Sequence, residues 1–100
     1  MAESDIQKSI IDYLTIKKVF FWRQNSGAVV TESKRFIRMG ITGAPDIFIV
    51  KNGQIIGLEV KTLKGRQNDN QKSFQERFEK AGGIYYLVRS LDDVIKVIHN

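Results

Sequence analysis

The stretch APDIFIVKNGQIIGLEVKT, residues 44–62, contains two apolar runs separated by Asn52-Gly53. An Asn-Gly pair between apolar runs is typical of a two-residue hairpin loop, because a type I′ turn needs a positive φ at both central residues. Counting outward from this loop pairs the two runs residue by residue, ending with Ile47 opposite Leu58. The stretch therefore predicts an antiparallel β-hairpin with a defined register.

The next pair outward in this register is Asp46 opposite Glu59. Opposed residues in an antiparallel ladder hold their Cβ atoms about 4.5–5.5 Å apart, and two ionised carboxylates at that distance repel each other. Lys61 falls on the same face as Glu59, because side chains alternate along a strand. Two acids and a lysine thus converge at one end of an otherwise apolar hairpin. A hard divalent cation, Mg²⁺ or Mn²⁺, is the partner that such carboxylates favour.

These residues also have an interpretation without function. Asp46 and Lys61 are compatible with solvated strand ends, and Glu59 with a surface ion pair to Lys61. A bulge in the hairpin would shift the register and separate the acids. Three charged residues at matched positions beside Pro45 favour the metal-site interpretation.

The composition limits the classes of protein that fit. The length of 100 residues predicts a single domain over residues 1–100. The absence of cysteine excludes disulfides and thiolate metal sites, and His99, the only histidine, argues against a histidine zinc centre or a Ser-His triad. No apolar run approaches the ~20 residues of a membrane span, so we expect a cytoplasmic protein. The net charge of +5 favours a polyanionic partner, although a merely soluble basic domain fits it equally well.

The residues before the hairpin predict one helix and several strands. Ser4–Gln7 has the form of a capping box with Ser4 as N-cap, and the helix is expected to end near Lys17-Lys18. The β-branched and aromatic run Val19–Arg23 predicts a strand, and Asn25–Gly27 predicts a turn. Residues 28–39 are compatible with an irregular hairpin or ribbon.

The residues after the hairpin predict a βαβ unit. A basic loop at residues 63–67 precedes a helix over Asn68–Ala81, with Asn68 as its cap. The strand Ile84–Val88 then lies parallel to the second hairpin strand through a right-handed crossover. Ser90 is the expected cap of a last helix. The fold class is α/β, in the order α-β-β-β-α-β-α, with a mixed sheet covered by helices on both faces.

The segment Gly43–Asp46, followed by Glu59-Val60-Lys61, resembles the Pro-Asp…(Asp/Glu)-x-Lys signature of the PD-(D/E)XK nuclease superfamily. With Asn25-Ser26-Gly27 upstream and Gln71 downstream, the chain resembles a stand-alone VRR-NUC domain of the phage and bacterial type over nearly its whole length. The resemblance implies a restriction-endonuclease-like fold and an endonuclease that depends on Mg²⁺ or Mn²⁺.

The resemblance also implies which residues form the site. It gives catalytic roles to four residues: Asp46, Glu59, Lys61 and Gln71. It gives metal ligation to Asp46, Glu59, the Val60 backbone carbonyl and an acid of the first helix, for which Glu3 matches best and Asp5 is the alternative. For Gln71, capping of its own helix remains the other interpretation.

Polar and basic residues away from the hairpin are candidates for nucleic-acid contact. Phosphate contacts usually come from Lys, Arg and small polar side chains, and interleaved aromatics suit nucleic acid. By resemblance, Asn25 and Ser26 lie near the substrate. The basic candidates are Lys34, Arg35 and Arg38, which surround Phe36, and Lys64 and Arg66 in the loop after the hairpin. An ordinary turn and a solvated charged strand are the alternatives.

The aromatic content raises the question of a second apolar surface. Phe20–Trp22 and Tyr85-Tyr86 cannot all face one core if their strands alternate, so we expect some of them at a C₂ homodimer interface. Stand-alone VRR-NUC proteins are associated with four-way DNA junctions, which implies a Holliday-type branched substrate. The alternatives to a nuclease are a non-catalytic nucleic-acid-binding module and a protein-interaction subunit.

Overall fold

The structure is a computed structural model, and it describes residues 2–24, 28–30, 36–38 and 41–99, with only the backbone described for 28–30 and 36–38. The predicted turn at Asn25-Ser26-Gly27 and the candidate contact residues Lys34 and Arg35 lie outside the described residues. Arg38 lies in a described strand, but its side chain also lies outside what is described.

The elements follow the predicted order, with a separate strand pair inserted after the first strand. They are α1 (Glu3–Ile16), β1 (Phe20–Arg23), β2 (Ala28–Val30), β3 (Phe36–Arg38), β4 (Ile47–Lys51), β5 (Gln54–Val60), α2 (Asp69–Lys80), β6 (Ile84–Val88) and α3 (Leu91–His99). The main sheet has the order β1-β4-β5-β6, and β2 pairs with β3 apart from it. β6 is parallel to β5 and the other pairs are antiparallel, so the predicted mixed sheet is confirmed.

The β4–β5 hairpin has the predicted turn and register. Asn52 and Gly53 have φ values of 52° and 77°, as a type I′ turn requires. The ladder runs from the pair next to this turn to Ile47 opposite Leu58 and stops there. Asp46 therefore lies one residue before β4 and does not form the directly opposed ladder pair with Glu59 that the sequence predicted.

The predicted start of the first helix is wrong by two residues. The N-cap is Ala2, not Ser4, and α1 begins at Glu3. The backbone N–H of Ala2 donates to Oδ2 of Asp5 at 3.3 Å. Asp5 thus takes the place in the capping box that the prediction gave to Gln7, and Gln7 instead accepts a hydrogen bond from Arg23 Nη2 at 3.3 Å.

Helices cover both faces of the sheet, as predicted. The larger cluster lies between the sheet and the α1–α3 pair, and its buried side chains include Ile10, Leu14, Ile49, Leu58 and Val94. The smaller cluster lies under α2 and consists of Ala44, Phe48, Phe74 and Tyr85. Burying one such aliphatic or phenylalanine side chain contributes about 1.5–3 kcal/mol. Among the described residues no helix is long and apolar enough to cross a membrane.

Candidate active site

The end of the hairpin brings the three charged residues of the motif together. Oδ2 of Asp46 accepts a hydrogen bond from the backbone N–H of Val60 at 2.8 Å. Nζ of Lys61 lies 3.9 Å from Oε2 of Glu59. On the other side, the Asp46 carbonyl accepts from the backbone N–H of Gln24 at 2.8 Å, which ties Asp46 to the end of β1. The site therefore spans three adjacent strands.

Glu59 is the buried acid of this site. Its side chain is only 2% exposed, and no hydrogen-bond donor among the described residues reaches its Oε1. The pKa of Glu59 is raised to about 9, mainly by burial and then by the hydrogen bond and charge of Asp46, while the charge of Lys61 acts to lower it. Without a cation, the pair of carboxyl groups therefore holds a proton at neutral pH. An ionised carboxylate at this position needs a positive partner, since an unpaired buried charge is strongly unfavourable.

The donor set fits a hard divalent cation. Glu59 Oε1 is a buried oxygen with no donor in the described part of the chain, and a second carboxylate lies beside it. Mg²⁺ commonly binds proteins through one or two carboxylates and keeps several waters. Within residues 2–24 and 41–99, no three acidic or histidine side chains are close enough to form a metal cluster, so the carboxylate core consists of two residues. Ligation by the Val60 carbonyl remains a prediction.

Between the two candidate acids of α1, the geometry favours Glu3. Its charge is close enough to raise the pKa of Glu59. Asp5 is exposed and its Oδ2 accepts the hydrogen bond from Ala2 at the start of the helix. Glu3 is therefore the better candidate for a further ligand, and Asp5 serves the helix terminus.

Gln71 forms a capping box in α2. Its Oε1 accepts from the backbone N–H of Asn68 at 2.9 Å, and Oδ1 of Asn68 accepts from the backbone N–H of Gln71 at 2.9 Å. This is the capping interpretation that the sequence left open. A direct role of Gln71 in the chemistry remains a prediction. The position of Gln71 relative to Asp46 depends on the contact between α2 and the loop before Asp46.

Two glycines place the Pro-Asp segment. Gly43 has a φ of 81°, and a Cβ built on it would lie 2.2 Å from the carbonyl oxygen of Asn70, so only glycine lets this loop approach the first turn of α2. A Cβ on Gly57 would lie 2.6 Å from Cγ of Pro45. Pro45 therefore packs directly on the backbone of β5, which fixes Asp46 beside it.

Sequence reasoning missed Tyr85 and Gln67, which lie beside the acids. The pKa of Tyr85 is raised to about 12, mainly by burial; the hydrogen bond from Gln67 acts to lower it, and the charges of Glu59 and Asp46 act to raise it. Nε2 of Gln67 donates to the Tyr85 hydroxyl at 3.0 Å. Tyr85 therefore stays protonated on the α2 side of the site. The alternation of side chains along a strand could have indicated this, because it puts Tyr85 and Tyr86 on opposite faces of β6.

The basic loop after β5 lies at the same edge of the sheet. Lys64 and Arg66 are both exposed there, within five residues of Lys61. Lys64 also lines a cavity of about 820 Å³ together with Leu63 and residues at the start of α3. The side chains of Lys64 and Arg66 are therefore open to solvent and to a ligand.

The chain resembles known proteins at the level of structure. No model of a known protein family and no curated protein matches the chain. A solved structure described as a "VRR_NUC domain" matches with a TM-score of 0.70 and 25% sequence identity, and the match covers 98% of this chain and 95% of that chain. The match extends across the whole sheet and its helices, including the hairpin with the acids. The chain therefore has the fold of a VRR-NUC domain, a nuclease-family fold, as its motif predicts.

Proposed function

We propose that the protein is a metal-dependent endonuclease that hydrolyses phosphodiester bonds of DNA. The observation that carries this proposal is the buried Oε1 of Glu59, which has no donor in the described part of the chain and lies beside the carboxyl group of Asp46. A module that only bound DNA would gain nothing from two acids near the phosphates, because carboxylates repel the backbone. The nuclease-family fold supports the same conclusion.

Asp46 and Glu59 would hold the ion, Mg²⁺ or Mn²⁺, with Glu3 and the Val60 carbonyl as further candidates. Such an ion, when bound, polarises a phosphoryl oxygen and lowers the pKa of a bound water. Asp46 is already oriented for ligation, since one of its oxygens is fixed by Val60. Glu59 must release its proton to bind the ion, so ion binding is expected to strengthen as pH rises.

Lys61 would stabilise the negative charge that builds up on the phosphate. Its side chain is 14% exposed, and its ammonium group lies on the Glu59 side of the site. A partly desolvated cation acts more strongly on a developing charge than one in water. Lys64 and Arg66 are placed to contact flanking phosphates, and the net charge of +5 favours the approach of a polyanion.

The test is cleavage of supercoiled plasmid and of a branched DNA with Mg²⁺ or Mn²⁺, against the same reactions in EDTA. The Asp46→Asn variant serves as the inactive control, and Glu76→Gln, an exposed acid on α2, serves as the charge-matched control. Cleavage by the parent protein and by Glu76→Gln alone supports the proposal. DNA binding without cleavage under every metal condition would instead identify a non-catalytic binding module.

We also propose that the protein is a homodimer that prefers four-way junctions. Phe20 is 69% exposed and Trp22 38%, and Val50 and Ile55 continue this apolar surface across the sheet beside α2. Exposed apolar patches of this kind commonly mark interfaces. A two-fold dimer would carry two sites, one for each of two symmetry-related strands of a junction.

Two measurements test this second part separately. Light scattering at micromolar concentration should give a dimer for the parent protein and a monomer for Phe20→Lys. Cleavage of a four-way junction and of a linear duplex is then compared at matched salt, because phosphate binding is salt-dependent. A monomeric parent protein contradicts the dimer, and equal rates on both substrates contradict the junction preference.

A further inference from the structure

Arg89, the residue directly after β6, holds the loop that follows Lys61. Its Nη1 donates to the carbonyl oxygens of Thr62, Leu63 and Gly65, the last two at 3.2 Å and 2.7 Å. Its own backbone N–H donates to Oδ2 of Asp93 at 2.9 Å, at the start of α3. One guanidinium group thus binds three carbonyls of a loop that belongs to no helix or strand.

This loop covers the side chain of Lys61. The backbone N–H of Gly65 donates to the carbonyl of Thr62 at 3.1 Å, which closes the loop back on itself. A Cβ built on Gly65 would lie 3.2 Å from Cβ and 3.3 Å from Cδ of Lys61, so the backbone at Gly65 lies against the lysine stem. The backbone N–H of Lys61 is in turn bound to the carbonyl of Val88 at 3.0 Å, one residue before Arg89.

We propose that Arg89 is a positioning residue for Lys61, acting through the loop at residues 62–65. The proposal rests on the proposed function, in which the Lys61 ammonium group acts on the phosphate. A lysine has four rotatable bonds, and in this position its direction is set by Glu59 on one side and by Gly65 on the other. All three bonds come from one nitrogen, Nη1, which the rigid, planar guanidinium group holds in place, whereas the ammonium group of a lysine sits on a more flexible stem.

The first experiment compares Arg89→Met and Arg89→Lys with the parent protein in steady-state cleavage and in calorimetric Mn²⁺ titration. Lys96→Met, which removes an exposed charge from α3, is the matched control. Misplacement of a catalytic group by about 1 Å lowers rates on the order of 100-fold, so we expect a loss of kcat of about 10- to 100-fold with Mn²⁺ affinity retained. Arg89→Lys keeps the charge and should remain impaired. A raised KM with unchanged kcat, restored by Arg89→Lys, would show a phosphate contact and overturn the proposal.

The second experiment does not depend on nuclease activity. The rate at which an N-hydroxysuccinimide ester acylates Nζ of Lys61 is measured by mass spectrometry, with Lys8 on α1 as internal reference. Loosening of the loop exposes the lysine stem, so Lys61 should react several-fold faster in Arg89→Met and unchanged in Lys96→Met. An unchanged rate for Lys61 in a folded Arg89→Met protein overturns the proposal even if kcat falls.

Gly65→Ala provides a second variant with Arg89 intact. Its φ lies outside the left-handed region, so alanine fits the backbone, but the new methyl group presses on the Lys61 stem. We expect kcat to fall while the protein stays folded, and this variant carries the test if Arg89→Met does not fold. If the parent protein cleaves no DNA but Lys61 acylation responds to Arg89, the proposed function fails and the positioning of Lys61 stands. If the parent protein cleaves and neither readout responds, the positioning fails alone.

Discussion

The carboxylate of Asp46 accepts a hydrogen bond from the backbone N–H of Val60 at 2.8 Å, which joins the first acid of the motif to the end of β5, where Glu59 and Lys61 lie. Asp46 lies outside the β4–β5 ladder, so this side-chain hydrogen bond connects the two strand ends where a regular ladder pair is absent. It uses one oxygen of Asp46 and brings its carboxyl group beside that of Glu59. The hairpin thus orients the acid pair before any ligand arrives.

The first prediction concerns the ion. Asp46→Asn keeps an oxygen that accepts from Val60 but removes the charge, and Glu59→Gln keeps the size of the buried side chain. Each should lower Mn²⁺ affinity at least tenfold, since about 1.4 kcal/mol of lost ligation gives that factor. Both should also abolish cleavage. Calorimetric titration measures the Mn²⁺ affinity, with Glu76→Gln as the control. Unchanged Mn²⁺ binding in both site variants would contradict the site assignment.

The second prediction concerns stability without metal. The pKa of Glu59 is raised from 4.5 to about 9 in the folded protein, so the folded state retains a proton that the unfolded chain releases. The stabilising contribution of this proton is complete below pH 4.5 and is lost as pH rises toward 9. In EDTA, the free energy of unfolding should therefore decrease between pH 5 and pH 8.

Glu59→Gln should remove this dependence, because an amide stays neutral throughout. At pH 8 the variant should be more stable than the parent protein by at least about 1 kcal/mol, or about 4–8 °C in Tm for a domain of this size. The gain should shrink at pH 5. Thermal unfolding at both pH values measures it, with Glu76→Gln as the control that shows no such difference. A gain equal at both pH values would mean that Glu59 is not protonated in the folded state.

The sequence predicted most of the sheet because its signals were local. Asn52-Gly53 indicated a turn type, and counting outward from this two-residue loop gave the register as far as Ile47 and Leu58. The position of Asp46 could not be predicted in this way. It depends on the hydrogen bond from Val60 to its side chain and on the packing of Pro45 on Gly57, and both are tertiary contacts.

Two other features were hidden for the same kind of reason. Ser4 fits the pattern of an N-cap, but Glu3 and Asp5 are also suited to the first turn of a helix. The helix begins two residues earlier, where Asp5 can accept a hydrogen bond from the N–H of Ala2. Arg89 gave no pattern of its own. Its only signal is that it directly follows β6, the strand parallel to β5, just as Lys61 directly follows β5. The carbonyls that Arg89 binds become its neighbours only after the βαβ crossover has formed.

The third prediction separates the role of Lys61 from that of the acids. Lys61→Met should lower kcat by about 100- to 1,000-fold, the usual effect of removing a group that stabilises developing charge. Mn²⁺ affinity should fall much less, because an ammonium group does not ligate a cation. Near neutral pH we expect a modest loss of Mn²⁺ affinity, because Lys61 lowers the pKa of Glu59 and its removal lets the proton compete better with the ion. The affinity should recover as pH rises. Equal losses of affinity and rate would mean that Lys61 organises the site without acting on the phosphate.

The fourth prediction distinguishes capping from chemistry at Gln71. Gln71→Ala and Asn68→Ala each break the same capping box, so each should destabilise the protein by about 1 kcal/mol. If Gln71 only caps α2, the two variants should have similar, small effects on kcat. A much larger loss of kcat in Gln71→Ala, at equal loss of Tm, would assign Gln71 to the reaction.

The last prediction tests whether the contact between Gly43 and α2 places Asp46. Gly43 and Gly53 have similar positive φ values, 81° and 77°, so alanine strains the backbone equally at both positions. A Cβ at Gly53 meets nothing within 4 Å, whereas at Gly43 it would collide with the carbonyl of Asn70. Gly43→Ala should therefore be less stable than Gly53→Ala by about 1–3 kcal/mol, the usual effect of overpacking. Because the loop must move away from α2, Mn²⁺ affinity should also fall in Gly43→Ala and stay unchanged in Gly53→Ala. Denaturant unfolding and calorimetry on the two variants measure both effects, and equal Mn²⁺ affinity in the pair would show that Asp46 is placed by Pro45 and Val60 without the help of α2.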